Sequence, residues 1–138
     1  MATIFEKIRD GLIPSVKIYD DELCFVILDL SPVNKGHALV IAKECAPTMT
    51  EVNNETLHHM IDVAKLVDKK MREVLKADGT NVIINNGPAS GQEVPHLHIH
   101  VIPRYFGDNK TFAFPKKDKY SEGEMAKYGE LLKIWEKL

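Results

Sequence analysis

The chain has 138 residues, 18 Lys+Arg against 20 Asp+Glu, and a formal net charge of −2. That length suits a single domain over residues 1–138, with a core that needs neither disulfide nor structural metal. The balanced charge argues against a nucleic-acid protein, no apolar run approaches the ~20 residues of a membrane span, and two cysteines, Cys24 and Cys45, are too few for a secreted disulfide framework.

The start, Met1–Lys7, holds an acid and no long apolar stretch, so no signal peptide is expected and the expected location is the cytoplasm. Ile4, Phe5, Ile8 and Leu12 recur at helical spacing, and Gly11 with Pro14 closes a short helix near residues 3–10. Val16–Tyr19 and Leu23–Leu28 are strand-like runs joined by Asp20-Asp21-Glu22 as a tight hairpin. Ser31-Pro32-Val33-Asn34-Lys35-Gly36 is turn chemistry, and His37–Ala42 resumes as a strand. From Asn54 to Ala77 the residues Leu57, Ile61, Ala64, Val67, Met71, Val74 and Leu75 predict one buried helical face. Asn53 or Asn54 serves as N-cap, and Gly79 as the left-handed residue after the helix. Asn81–Asn85 predicts a strand, Asn86–Gln92 a loop of small residues, and His96–Ile102 a strand with Pro95 and Pro103 at its ends. A Lys- and aromatic-rich loop, with Lys116, Lys117 and Lys119 read as solvated, leads to an amphipathic helix near Glu122–Lys137. The expected fold class is α+β, with a long helix and terminal helices packed on an antiparallel sheet of about five strands.

Side chains alternate faces along a strand. His96, His98 and His100 therefore share one face, while Leu97, Ile99 and Val101 enter the core. Adjacent imidazoles disfavour each other's protonation, so three of the six histidines in one row call for a chemical use. Metal ligation is one such use, with His37 as the only further ligand in prospect. Covalent catalysis is the other, in which a neutral imidazole attacks phosphorus. The upstream Asn85…Gly91-Gln92-Glu93 loop, able to turn backbone N–H groups toward an anion, favours the phosphate reading.

His96-Leu97-His98-Ile99-His100-Val101-Ile102 resembles the signature of the histidine triad (HIT) superfamily. Ordered agreement at Thr3-Ile4-Phe5, Leu28-Asp29-Leu30-Ser31-Pro32, Gly36-His37, Asn85-x-Gly87 and Gly91-Gln92-x-Val94 extends the resemblance over nearly the whole chain. It implies a HIT-like fold and a nucleotide hydrolase or transferase that works through a nucleotidyl-histidine intermediate and needs no metal or organic cofactor. His98 would be the nucleophile, the carbonyl of His96 would orient it, and His100 and His37 would assist. Asn85, Gly91, and the backbone of Gln92 and Glu93 would hold phosphate, and Asp29 the ribose. Ile4, Phe5, Ile8, Ile27 and Leu30 would line a purine pocket. The resemblance also implies a homodimer formed through the long helix and a sheet edge.

Asn85 points to the purine nucleoside phosphoramidase (Hint) branch, and the long segment after His100 resembles bacterial and protist members. A dinucleoside polyphosphate (Ap3A/Ap4A-type) hydrolase and a nucleotide-binding adaptor are the alternatives. Two departures stand out. Thr3, Glu6 and Cys45 occupy positions where several relatives carry ligands of a structural zinc, so no zinc is expected. Glu93 replaces a phosphate-binding serine, so its side chain should turn from the phosphate or adjust substrate choice. Ile4, Phe5, Ile8 and Ile27 read equally as ordinary core residues, Asp29 as a turn cap, and His58 and His59 as solvated.

Overall fold

The computed structural model describes residues 2–138. Helix α1 (Ile4–Arg9) starts at Thr3, whose hydroxyl accepts from the Glu6 backbone N–H, and buries Phe5 and Ile8. Strands β1 (Lys17–Asp20) and β2 (Cys24–Leu28) form the expected hairpin. Asp21 fixes its turn, its carboxylate accepting from the backbone N–H groups of Leu23 and Cys24. Strand β3 (Ala38–Ala42) follows, then helix α2 (Asn54–Val74), strand β4 (Gly79–Ile83), strand β5 (His98–Arg104) and helix α3 (Glu124–Leu131). The five strands pair antiparallel in the order β1-β2-β3-β5-β4, which places β5 inside the sheet.

The sheet separates two apolar clusters. Helix α2 covers one face, where Met60, Val63, Val67 and Met71 meet Cys24, Val26, Val40, Leu97, Ile99 and Val101. Helix α1 covers part of the other, where Phe5 and Ile8 meet Phe25, Ile27, Leu39 and Ile41. Gly36 enters β3 with φ +97°, a backbone that calls for glycine, whereas the Leu75 Cδ1 that a Cβ would meet at 2.8 Å ends an exposed side chain able to move aside.

Several details differ from the sequence reading. Strand β5 runs from His98 to Arg104, so Pro103 lies inside it. The Pro103 carbonyl accepts from Asn34 Nδ2 beyond the last β3–β5 pair, Ala38↔Val101. The missing N–H on that same side therefore costs no ladder bond. Strand β4 begins at Gly79, and Lys76, with φ +57°, takes the left-handed position after α2. Asn53 is the N-cap as read, but Ile61 and Val74 point to solvent, because the buried row follows Met60, Val63, Ala64, Val67 and Met71. Helix α3 is shorter than read and carries no buried residue, so α1 is the terminal helix that packs on the sheet. Both cysteines are free thiols, and no helix of the described residues is long and apolar enough to cross a membrane.

Candidate active site

The face of the sheet opposite α2 opens into a pocket of about 420 Å³, within the range of small-molecule sites. Its apolar half comes from α1 and β2, with Ile4, Phe5, Ile8, Ile27 and Leu30 as read from the sequence. Phe5 and Ile27 are buried, whereas Leu30 is 94% exposed and forms the rim. The polar half holds Asp29, Asn85, Gly91, Glu93, His98 and His100. Ile13, Pro14, Ser15, Leu28, Leu39 and Val94 complete the wall without having been singled out. Leu39 was within reach, since strand alternation puts it on the face of His37.

His98 is buried at the floor of this pocket, its ring packed edge-on against Phe5 at 4.8 Å. Its Nδ1 lies 2.7 Å from the carbonyl oxygen of His96. A carbonyl only accepts, so Nδ1 carries the proton and Nε2 keeps its lone pair. Burial pushes the His98 imidazole below the usual histidine range, the His96 carbonyl acting against this and the neighbouring His100 with it. The result is a neutral imidazole in a fixed orientation, with the lone pair of Nε2 unused.

A second chain of hydrogen bonds fixes His100. The Val33 N–H donates to His37 Nδ1 at 3.1 Å, so neutral His37 bears its proton on Nε2. That Nε2 lies 2.9 Å from His100 Nδ1 and donates to it. Neutral His100 therefore carries its own proton on Nε2. Burial lowers the proton affinity of His37 and His100 alike; Asp29, whose Oδ2 is 3.7 Å from His37 Nε2, pulls the other way. Asp29 also caps its turn, accepting from the Ser31 N–H through Oδ1. Asp29 is thus the turn cap that the sequence suggested, and its carboxylate also lines the pocket.

His96 shares the row but not the pocket. Its Nε2 donates to the Ala42 carbonyl at 2.6 Å, and the ring is almost fully buried. Gln92 is also outside the pocket wall: its side chain accepts from the Gly87 N–H and donates to the Pro47 and Val94 carbonyls. These bonds pin the loop that presents Gly91 and Glu93. Gly91 adopts φ +100° with open space around it, so the turn asks for glycine by conformation alone.

The residues at the zinc positions of relatives do not suit that ion. Thr3 caps α1, Glu6 Oε1 sits 3.8 Å from His96 Nδ1, and Arg9 Nη1 lies 3.3 Å from Cys45 Sγ. Thr3 offers only its capping hydroxyl and a guanidinium stands against the Cys45 thiol, so Glu6 and the free Nδ1 of His96 are left two groups short of a tetrahedral set. His59 is not simply solvated as read; with Tyr19 it donates to the Asp21 carboxylate, close to Cys24. Burial pushes the Cys24 thiol up to about 12, so it stays protonated, and the four hydrogen bonds on Asp21 explain the cluster as structure.

A buried histidine whose backbone carbonyl-bound Nδ1 leaves Nε2 facing a nucleotide-sized pocket matches the triad signature in three dimensions. The family model described as the HIT domain matches residues 10–107. The chain belongs to the HIT family. It is 40% identical over 134 residues to a HIT-like protein of Methanocaldococcus jannaschii, covering 95% of this chain and 90% of that one. It is 42% identical over 104 residues, 75% of either chain, to an adenosine 5'-monophosphoramidase of Schizosaccharomyces pombe. The crystal structure of a HIT family member from Bacillus subtilis superposes with a TM-score of 0.84 at 33% identity, over 96% of this chain and 95% of that one. The HIT domain thus accounts for the five-stranded sheet, the long helix and the position of the histidine row.

Proposed function

We propose that this HIT protein hydrolyses nucleoside phosphoramidates or related derivatives of nucleoside 5'-monophosphates, with a purine nucleotide as the expected substrate. The observation that carries the reading is the 2.7 Å contact from His98 Nδ1 to the His96 carbonyl, which leaves Nε2 free in the pocket. In the first step a bond forms from His98 Nε2 to the α-phosphorus as the P–N bond breaks. The electron pair goes to the leaving nitrogen, which takes a proton from water at the open side and departs as an amine. Water then attacks phosphorus, the His98–phosphorus bond breaks, and the nucleotide leaves. His100 Nε2–H donates to a phosphate oxygen throughout, in the orientation that His37 imposes.

The remaining roles follow from position. Phe5, Ile8 and Ile27 form an apolar slot for the base, with Ile4 and Leu30 at its edge. Asp29 stands at the rim where ribose hydroxyls would meet a carboxylate. Among the described residues, no acceptor takes the Gln92 or Glu93 N–H and no partner binds the Asn85 amide, so these donors are available to phosphate. A second copy of the chain fits the exposed Ile61, Leu66 and Val74 of α2 and the open edge of β4, where Val82 is half exposed. His98→Asn is expected to abolish turnover while a nucleoside monophosphate still binds. A nucleotidyl adduct trapped by an alkaline denaturing quench should map to His98, and turnover by the variant would overturn the assignment. Adenosine 5'-phosphoramidate should be cleaved faster than diadenosine triphosphate; the reverse order would make the polyphosphate reading the better one.

A further inference from the structure

The charge pattern of the pocket bears on what leaves. Among the described residues, two carboxylates, Asp29 and Glu93, line it, and no lysine or arginine does. The histidines add no formal charge in their neutral state. An anionic leaving group such as a nucleotide or sulfate would meet no cation here and would face two negative charges. A positively charged one would meet the opposite.

The two carboxylates are not equivalent. Asp29 ties its Oδ1 to the Ser31 N–H and lies beside His37, whereas Glu93 is exposed and, among the described residues, has no lysine or arginine paired with it. The Glu93 backbone belongs to the loop that Gln92 pins, so its side chain starts from a fixed point in the pocket wall. It shares that wall with His100, and its charge raises the proton affinity of that imidazole against the effect of burial. Among the described residues, the wall carries one other carboxylate and no lysine or arginine, so the Glu93 carboxylate gives it a field that an incoming group must meet.

We propose that Glu93 forms a leaving-group subsite that selects cationic amines, so that the preferred substrates are nucleoside phosphoramidates whose amine carries a second positive charge. Diamines, polyamines and lysines flanked by other basic residues belong to this class. The inference rests on the phosphoramidate reading of the site. An exposed charge pair changes binding by up to about 5-fold, and reversal of sign in the substrate changes the ratio by about its square.

The test uses the full chain and three adenosine 5'-phosphoramidates of similar length, made with 1,3-diaminopropane, n-butylamine and β-alanine. Their distal groups are an ammonium, a methyl and a carboxylate, and the scissile P–N bond is the same in each. The wild type should favour the ammonium over the carboxylate substrate by about 10-fold or more in kcat/KM at low salt, with the butyl substrate between them. Glu93→Gln should compress that ratio to about 2-fold or less, and Glu93→Lys should invert it. Added salt should shrink the wild-type ratio and leave that of Glu93→Gln nearly flat. Turnover of all three with equal efficiency, or a ratio that Glu93→Gln does not change, overturns the subsite and leaves the phosphoramidate reading standing. No turnover of any of the three by the wild type removes that reading, and the subsite with it.

Discussion

Replacing His37 by phenylalanine isolates the hydrogen-bond chain that sets the tautomer of His100. The ring fills similar space, but the Val33 N–H loses its acceptor and His100 Nδ1 loses its donor. His100 can then carry its proton on Nδ1, turning a lone pair rather than an N–H toward the phosphate. The lost hydrogen bond to a charged acceptor is worth about 1.5–3 kcal/mol, so kcat should fall about 10–100-fold. His98 keeps its own bond to the His96 carbonyl, so adduct formation should be slowed, not abolished. The orphaned Val33 N–H, half-buried, costs up to about 1–3 kcal/mol of stability. For 138 residues the unfolding entropy is about 0.3 kcal/mol per degree, so the melting temperature should fall about 3–10 °C. His37→Gln supplies an acceptor and a donor on one planar group and should restore much of both losses. Steady-state kinetics and thermal melts on the wild type and both variants decide the matter. Equal kcat in wild type and His37→Phe, or equal defects in the Phe and Gln variants, would refute the relay.

Three further perturbations probe the same frame. His37, His98 and His100 all hold their protons less tightly in the fold than the free-imidazole value of 6.5. The unfolded chain thus binds more protons below that pH, and the melting temperature should fall as pH drops from about 7 to 5; a rise over that window would contradict buried neutral imidazoles. Phe5→Ala removes a side chain that is 6% exposed and touches the His98 ring, at a cost of about 3–5 kcal/mol and a drop of roughly 10–17 °C in thermal melts. Gln92→Ala removes three hydrogen bonds that pin the Gly91–Glu93 loop, so KM should rise about 5–30-fold with a smaller change in kcat, and an unchanged KM would release that loop from any part in binding.

The sequence was most legible where one physical rule dominated. Alternation along residues 96–101 separated the histidines from Leu97, Ile99 and Val101, and the two groups do lie on opposite sheet faces. Asn53 and the Asp21 turn were readable because short polar side chains satisfy nearby N–H groups. What escaped depended on partners distant in the chain. Nothing local says that Asn34, 69 residues earlier, receives the Pro103 carbonyl and lets a proline sit within a strand. Lys76 takes a left-handed backbone that composition would assign to Gly79. His59 reads as a solvated helix residue until the β1–β2 turn brings Asp21 against it. The candidate site was legible in its histidines and in Asp29, Asn85 and Glu93. By contrast, the division of work between the Gln92 side chain and its loop, and the proton order along Val33, His37 and His100, needed coordinates.

Strand β5 makes this chain intolerant of a single-residue insertion or deletion in two ways at once. Deleting or inserting one residue before His98 would rotate every following side chain to the opposite face. Imidazoles would then be driven against Met60 and Val63, while Ile99 and Val101 would be turned toward the pocket. Folding and chemistry would fail together, because one run of residues encodes both. Length variation in descendants of this gene is therefore expected in the loops before Pro95 and after Arg104, with the spacing between those two residues held fixed.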